Sequence, residues 1–235
     1  MKMESRTSSF LITAAIALIF GFAGSAAFNA TGLGDERTKE YLLSNPEILP
    51  QMAEAYQRQE AERRLAGIAE QVMGNFPGAV LGNPEGSKVL VKFTDYNCGF
   101  CGASRPDIDR LIAEDPELKV VIREWPIFRG SEVASRMGLA AAKQGKFAEF
   151  HDAMFELAPA TPESVEQAAT QAGMDIERAR VDMAGEDIST EIAKNNALAA
   201  QLGFGGTPSW VTSSSAFEGA VGYAALKDAV DNAGT

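Results

Sequence analysis

The chain has 235 residues, 46% of them hydrophobic, and a formal net charge of −11 with one histidine and two cysteines. A chain of this length can bury a substantial core without a disulfide staple. Its negative charge argues against nucleic acid and against anionic lipid as partners.

The N-terminal segment reads as an export leader. Lys2 and Arg6 give it a basic head, residues 10–28 are apolar or small, and Ser25-Ala26-Ala27 suits cleavage after Ala27. Residues 1–27 are therefore predicted to be a signal peptide. Because the apolar run is close to the length that spans a bilayer, an uncleaved membrane anchor is the alternative. Either one places the body in the periplasm or a comparable exported location, where disulfides persist.

Residues 28–75 are predicted to form a helical extension. Apolar residues recur at spacings of three and four from Leu42 to Tyr56, and after a phase shift the stripe resumes from Ala61 to Val72. Asn45 and the proline after it predict a break, with Asn45 as the N-cap of the next helix. The segment from Gln57 to Arg64 is nearly all polar, which argues against deep burial on its own domain. The extension is either a helix on the domain surface or an arm that joins copies of the chain into a homo-oligomer.

Both cysteines lie where a predicted strand ends and a helix begins. Residues 81–84 are expected to be a turn, and the apolar run Val89–Phe93 predicts a buried strand. Cys98 and Cys101 then follow in C-x-x-C spacing, on a helix that Pro106 should kink. A helix N-terminus stabilises a thiolate at Cys98, and the spacing places Cys101 on the same helix face. The pattern favours a redox pair.

Two other interpretations of the cysteine pair remain open. A structural disulfide across so short a loop would stabilise the fold by only about 2 kcal/mol. Half of a zinc site would need two more nitrogen or sulfur ligands, whereas the chain has no further cysteine and one histidine, His151. The neighbours of His151 at helical spacing are apolar, so we interpret it as a packing or surface residue rather than a catalytic one. No metal site is predicted.

A second apolar run, Leu118–Ile122, predicts a strand that continues to Glu124. Two strands joined by one helix form a parallel, right-handed βαβ unit, and functional sites lie at the carboxyl ends of such strands. Lys92 lies on the first strand, beside the strand that ends at Glu124. Because a buried ammonium is costly without a partner, we expect Lys92 to pair with Glu124 or to reach solvent, and both residues are candidates for tuning the cysteines.

The rest of the chain predicts a helical block and then a return to the sheet. Residues 127–204 read as successive helices, ended by glycines. Residues 205–235 predict a strand opened by Thr207-Pro208, a hairpin partner strand and a final helix. At a redox site, a proline in this place favours a cis bond, which leaves the backbone groups of Thr207 free to hold an extended substrate.

This order of elements resembles the DsbA-like thiol–disulfide oxidoreductases, and several local sequences do so too. They are F-T-D-Y-N-C-G-F-C, E-W-P-I, G-K-F-A-E-F-H-D-A-M-F and L-G-F-G-G-T-P-S-W. Together with the prefix Y-L-L-S-N-P-E-I-L, they are similar to the branch that includes the suppressor-of-copper-sensitivity C proteins, over residues 38–232. The resemblance implies an α/β fold: a thioredoxin fold over 76–126 and 205–235, with an inserted all-helical domain over 127–204 and an N-terminal helical extension.

The resemblance also implies roles for the candidate residues. Cys98 would be the nucleophile and Cys101 the resolving cysteine, with Pro208 as a cis-proline facing them and Thr207 before it. The resemblance implies no cofactor, since the Cys98–Cys101 disulfide is itself the redox-active group. The implied partners are unfolded or misoxidised secreted proteins and a membrane redox partner.

Two departures from the family pattern bear on function. The dipeptide between the cysteines is Gly99-Phe100, whereas strongly oxidising members resemble C-P-H-C, so the resemblance implies a milder oxidant. Lys92 stands where family members frequently carry an acidic residue.

The sequence thus predicts an exported thiol–disulfide oxidoreductase, acting as an oxidase or an isomerase on secreted proteins. A copper(I)-handling thiol protein is the alternative, because two thiolates suit Cu(I) and the resembling branch includes proteins linked to copper tolerance. A membrane-tethered helical scaffold with a vestigial disulfide is a third interpretation.

Overall fold

The computed structural model describes residue 13, residues 16–26 and residues 33–233. The predicted basic head and the cleavage point at Ala27 lie outside these residues. Within the described part, no helix combines the length and the apolar character needed to cross a membrane. The chain divides into two compact units, Met1–Tyr56 and Gln57–Thr235.

The first unit is helical where it is described, apart from a break at residues 45–47. It contains α1 (residues 16–26), α2 (Leu33–Ser44) and the start of α3 (Ile48–Ala66). The break is where it was predicted, but the N-cap prediction is wrong. The side-chain amide of Asn45 donates to the carbonyl of Tyr41 at 2.7 Å, which closes α2, and α3 begins only at Ile48. Several large apolar side chains of this unit are exposed: Tyr41, Leu42, Leu43, Leu49, Met52 and Tyr56.

The second unit begins with the rest of the extension, which packs on the domain. Leu65 in α3 is 2% exposed and Val72 in α4 (Ala69–Met73) is fully buried. Arg123 is buried beside them, and its guanidinium donates to the carbonyls of Gln71, Val72 and Gly74 at the end of α4. None of the described side chains from Gln57 to Arg64 is buried, as expected, and the extension packs on the domain through Leu65 and Val72, which follow that segment. Ala61 also packs against this core, although its neighbours in the sequence are polar.

A mixed sheet of five strands forms the centre of the second unit, in the order β1-β3-β2-β4-β5. The β2–β3 pair is parallel, as the predicted βαβ unit requires, and the other neighbours are antiparallel. Residues 81–84 were expected to be a turn, but β1 is a short edge strand paired with β3. The strands are β1 (Val80–Gly82), β2 (Lys88–Thr94), β3 (Leu118–Glu124), β4 (Ser209–Val211) and β5 (Ala216–Glu218).

Helices follow the strands in the predicted order. Ser104 separates the two pieces of the cysteine-bearing helix, next to the predicted proline kink. A helical block then lies between β3 and β4, and one helix follows β5. The helices are α5 (Gly99–Ala103), α6 (Arg105–Glu114), α7 (Glu132–Lys143), α8 (Phe147–Glu156), α9 (Pro162–Gln171), α10 (Ile176–Met183), α11 (Glu186–Leu202) and α12 (Tyr223–Asn232).

The two faces of the sheet carry separate apolar cores. Successive side chains of a strand point to opposite faces, and Val120 and Ile122 belong to one cluster while Val121 belongs to the other. The first cluster includes residues of α6, α12 and most of the helical block, whereas the end of α11 belongs to the second. The second includes Leu65 and Val72 of the extension. The cysteines follow the carboxyl end of β2.

Candidate active site

Cys98 lies at the start of the helix that follows β2. It is the N-cap of α5, with extended backbone angles, and its carbonyl accepts from the N–H groups of Cys101 at 3.0 Å and Gly102 at 3.2 Å. Its side chain is only 4% exposed. Cys98 thus lies at the N-terminal end of α5, and Cys101 lies on the buried side of the same helix.

The loop before β4 brings Thr207 to Cys98. The Sγ of Cys98 donates to the carbonyl oxygen of Thr207 at 3.1 Å. The Thr207–Pro208 peptide bond is cis, as predicted from the sequence. Because β4 pairs with β2, two segments that are 109 residues apart in the chain meet at this sulfur.

Cys101 is enclosed by the protein. It is fully buried, and burial raises the pKa of its thiol to about 11, although the neighbouring ammonium of Lys92 acts to lower it. Both cysteines are free thiols in this structure. The structure therefore gives the two sulfurs different surroundings, as their proposed roles require, and the roles themselves stay predictions.

Lys92 lies beneath Cys101 and does not pair with Glu124. Its Nζ donates to the carbonyl oxygen of Cys101 at 3.1 Å and lies 5.5 Å and 5.6 Å from the ring centroids of Phe155 and Trp210. Burial lowers the pKa of Lys92 to about 8. Among the described residues, no ion pair joins Lys92 to Glu124. Both expected outcomes are wrong, since the side chain is also fully buried. In the parallel register Lys92 lies opposite Ile122, two residues before Glu124.

Glu124 is buried in a polar cluster of its own. The hydroxyl of Tyr96 lies 2.8 Å from Glu124 Oε1 and 3.1 Å from His151 Nδ1. Burial raises the pKa of Glu124 to about 8 and lowers the pKa of His151 well below its ordinary value. His151 is 1% exposed, so of the two expected positions, packing or surface, it occupies the packing one. A Cβ at Gly138 would come within 3.0 Å of Glu124 Oε1, so glycine permits this close packing.

Asp95 joins the loops around the cysteines, and the sequence analysis did not predict this role. Its Oδ2 accepts from the N–H groups of Ile127 at 2.7 Å and Phe128 at 2.9 Å and from the hydroxyl of Ser131 at 2.7 Å. Its Oδ1 accepts from the N–H of Asn97 at 2.7 Å. Aspartate side chains commonly accept from the backbone N–H two residues later in a turn, but the long-range partners of Asp95 are not visible in the sequence.

Exposed apolar side chains occur on the segments next to Cys98. Phe100, between the two cysteines, is 68% exposed, and Ile127 and Phe128, on the loop held by Asp95, are 40% and 47% exposed. These three side chains are exposed apolar groups on the segments that flank Cys98. Among the residues that the structure describes, no three His, Cys, Asp or Glu side chains group closely enough to hold a metal ion.

Comparison with known families decides how this arrangement is classified. Residues 89–231 match the family model of the DSBA-like thioredoxin domain. The chain belongs to this family. Residues 37–63 also match the N-terminal domain of the copper resistance protein ScsC. The predicted resemblance, including its branch, is confirmed for this DSBA-like chain, and so is the fold class, a thioredoxin fold with additional helices.

Solved structures of similar proteins agree with the DSBA-like assignment. A thioredoxin-like oxidoreductase from Silicibacter pomeroyi is 38% identical, with a TM-score of 0.66 over 70% of this chain and 96% of that one. A linker-deletion mutant of Proteus mirabilis ScsC is 26% identical, with a TM-score of 0.68 over 83% and 90% of the two chains. The thiol-disulfide exchange protein alpha-DsbA2 from Wolbachia pipientis is 26% identical, with a TM-score of 0.67 over 73% and 95%.

Curated relatives of the DSBA-like chain are longer proteins. A protein named Na(+)/H(+) antiporter NhaA 3, from Salinispora tropica, is 27% identical over 161 residues, which are 66% of this chain and 24% of that protein. The chain thus spans about a quarter of the length of the curated relatives it matches first.

Proposed function

We propose that this DSBA-like chain is an exported protein thiol–disulfide oxidoreductase that exchanges disulfides with secreted proteins through Cys98 and Cys101. The observation that carries the proposal is the contrast between the two sulfurs. The Sγ of Cys98 faces the Thr207 carbonyl at the surface end of the helix, whereas Cys101 is fully buried behind it. In this arrangement a substrate would reach the sulfur of Cys98 first, and the sulfur of Cys101 would react only with Cys98.

Oxidation would proceed in two balanced exchanges. A substrate thiolate attacks the Sγ of Cys98 in the Cys98–Cys101 disulfide, forming a mixed disulfide and releasing Cys101 with the bonding electron pair. A second substrate thiolate then attacks the substrate sulfur of the mixed disulfide and releases Cys98. The substrate is oxidised by two electrons and the cysteine pair is reduced by two. A membrane redox partner would reoxidise the pair.

Shuffling would use the reduced pair instead. The Cys98 thiolate attacks a wrong substrate disulfide and forms a mixed disulfide, and another substrate thiolate displaces Cys98, so no net electrons are transferred. If the substrate offers no second thiolate, Cys101 attacks Cys98 and releases the substrate in reduced form. The buried Lys92 would assist whenever Cys101 carries negative charge, because opposite charges attract strongly where water is excluded.

We favour shuffling over one-shot oxidation because of the first unit. Its exposed apolar residues, among them Leu43 at 73% and Leu49 at 70%, form a surface that a second copy of the same helices would cover. Joined copies would bring several Cys98 sites to one misfolded substrate. The Gly99-Phe100 dipeptide, typical of a milder oxidant, agrees with this role.

The proposal is tested by equilibrating the chain with a glutathione series and by refolding a substrate with scrambled disulfides. We expect an exchangeable Cys98–Cys101 pair and faster recovery of the native substrate. Cys98→Ser should abolish both reactions, while Cys101→Ser should trap mixed disulfides at Cys98. A pair that glutathione cannot reduce or reoxidise would refute the exchange function and point to a structural disulfide.

Copper(I) handling receives no specific support from the site. The segment that matches the copper resistance protein is residues 37–63, and neither Cys98 nor Cys101 lies within it. We therefore advance disulfide exchange alone.

A further inference from the structure

A glycine-rich loop, residues 203–207, carries Thr207 to Cys98. It follows α11 and contains Gly203, Gly205 and Gly206. Glycines lose more conformational freedom on folding than other residues, so a loop of this composition keeps one shape only if other groups hold it. Two charged side chains from distant parts of the second unit meet its backbone, one at each end.

Glu218 holds the end of the loop that precedes Thr207. Its Oε1 accepts from the N–H of Gly205 at 2.5 Å and from the N–H of Gly206 at 3.4 Å. Glu218 is the last residue of β5, and the next N–H, of Gly219, donates to the carbonyl of Pro208 at 2.8 Å. A carboxylate that accepts from two consecutive N–H groups fixes the orientation of both peptide planes.

Arg64 holds the beginning of the loop. It comes from the last turn of α3, and its Nη1 donates to the carbonyl of Leu202 at 3.3 Å. Gly203 is the left-handed cap of α11, with a φ of 77°, and a Cβ there would lie 1.9 Å from Arg64 Nη1. The guanidinium therefore lies directly on the backbone of Gly203. A cation at this position also suits the negative end of α11.

We propose that Arg64 and Glu218 are positioning residues that hold the 203–207 loop so that the Thr207 carbonyl faces Cys98 and a protein substrate meets a preformed backbone edge. This inference rests on the proposed function and names residues that act through the loop, since neither is shown in contact with the cysteines. It also gives the extension a part in the site, because Arg64 belongs to the same helix as the exposed residues of the first unit.

Loss of either contact should affect large and small substrates differently. A peptide must align its backbone with the loop, whereas dithiothreitol has only to bring its sulfur to Cys98. A looser loop should also uncover Cys98, which is now 4% exposed, while leaving Cys101 buried. Slower exchange with peptides and faster alkylation of Cys98 would then occur together, a combination that general destabilisation does not produce.

The test uses the full chain and measures three quantities for each variant. They are the rate at which the oxidised pair oxidises a reduced dithiol peptide, the rate of its reduction by dithiothreitol, and iodoacetamide labelling of each cysteine in the reduced protein. We expect Glu218→Ala to slow the peptide reaction about tenfold, as the loss of charge-assisted hydrogen bonds implies. Its dithiothreitol rate should change less than about twofold, and labelling should rise at Cys98 alone.

Conservative variants and a neighbouring arginine provide the controls. Glu218→Gln keeps an acceptor oxygen but not the charge, so its peptide rate should lie between those of the wild type and Glu218→Ala. Arg64→Ala should act in the same direction as Glu218→Ala by about threefold, because one longer hydrogen bond is lost, and Arg64→Lys should restore most of the rate. Arg63→Ala removes an arginine that pairs with Glu60 instead of the loop, and should have no effect.

Several outcomes would overturn the positioning role. They are equal losses with the peptide and with dithiothreitol, labelling that appears at Cys101, and unchanged behaviour of Glu218→Ala. A wild-type chain whose cysteine pair exchanges with neither the peptide nor glutathione would refute the proposed function instead. Labelling of Cys98 would then decide the positioning role: faster labelling in Glu218→Ala supports it, and unchanged labelling contradicts it.

Discussion

The ammonium of Lys92 lies 3.1 Å from the carbonyl oxygen of Cys101, at a position with no exposed surface. Burying a cation is costly unless an opposite charge compensates, and none of the ion pairs among the described residues includes Lys92. Burial lowers the pKa of Lys92 from 10.5 to about 8. The folded chain thus carries a group that binds its proton less tightly than the unfolded chain does.

The first prediction concerns Lys92→Met. Between about pH 8 and pH 10.5 the unfolded state holds more protons on Lys92 than the folded state, so stability rises with pH in that window. The variant lacks this rise and should be at least as stable as the wild type near neutral pH. Its advantage in unfolding free energy should shrink by about 1 kcal/mol from about pH 7 to about pH 9. Guanidinium unfolding at both pH values measures this, and an advantage that stays constant would contradict it.

Glu124→Gln should show the opposite dependence on pH. The pKa of Glu124 is raised from 4.5 to about 8, so the folded state holds more protons in this range and wild-type stability falls as pH rises through it. Glutamine keeps an acceptor for the Tyr96 hydroxyl and does not titrate, so the stability of the variant should not fall in this way as pH rises. We expect the variant to gain about 2 kcal/mol on the wild type between about pH 5 and pH 7. Glu132→Gln, at an exposed ion pair on α7, is the matched control and should gain little.

Alkylation should distinguish the two cysteines. In the reduced protein near neutral pH, iodoacetamide should modify Cys98 and leave Cys101 unmodified, because Cys101 is fully buried and the pKa of its thiol is raised to about 11. Peptide mass spectrometry after labelling identifies the site. Cys98→Ser should reduce labelling by about a hundredfold or more, given the small thiolate fraction of Cys101. Preferential labelling at Cys101 would reverse the assigned roles.

The first unit should join copies of the chain. Leu43, Leu49 and Tyr56 are 73%, 70% and 64% exposed, and a charged side chain at each would remove the apolar surface that we expect a second copy to cover. Light scattering on residues 28–235 should show an oligomer for the wild type and a monomer for the triple glutamate variant. The variant should also lose about tenfold in refolding a scrambled substrate.

Val181→Glu provides the control for this experiment. Val181 is 75% exposed on α10 and is not part of the first unit, so its substitution should leave the oligomer intact. A monomeric wild type would refute the association. An oligomer that dissociates in the triple variant without loss of refolding activity would separate association from shuffling.

The features that depend on local sequence pattern were predicted correctly. The contacts that depend on strand register or on residues distant in the chain were not. Cys98 at a helix start and the cis peptide before Pro208 followed from residue order alone. The relation of Lys92 to Glu124 did not, because adjacency of two strands leaves open which residues lie opposite each other, and a shift of two residues separates this pair. Asp95 was missed because its partners, Ile127 and Phe128, lie 32 and 33 residues away.

The extension shows the same limit. The apolar stripe predicted helices, and they are present. Hydrophobic periodicity cannot assign each part of a stripe to its partner, and the stripe here divides: Leu65 and Val72 lie in the domain core, whereas Leu49 and Tyr56 are exposed. The three-residue strand β1 was missed for a simpler reason, since it is too short for alternation to be recognised.

Arg123 sets where an independently folding fragment of this chain must begin. Its guanidinium is buried and takes three carbonyl acceptors from the end of α4, upstream of the first strand. A fragment cut at residue 76 would keep the ion pair with Glu191 but leave the other N–H groups of this buried cation without those carbonyl acceptors, at a cost of about 1–3 kcal/mol for each unsatisfied group. We expect such a fragment to be unstable and one that starts at residue 57 to fold. The sequence match to the DSBA-like domain starts at residue 89. The fragment that we expect to fold therefore begins about 30 residues before the start of the family match.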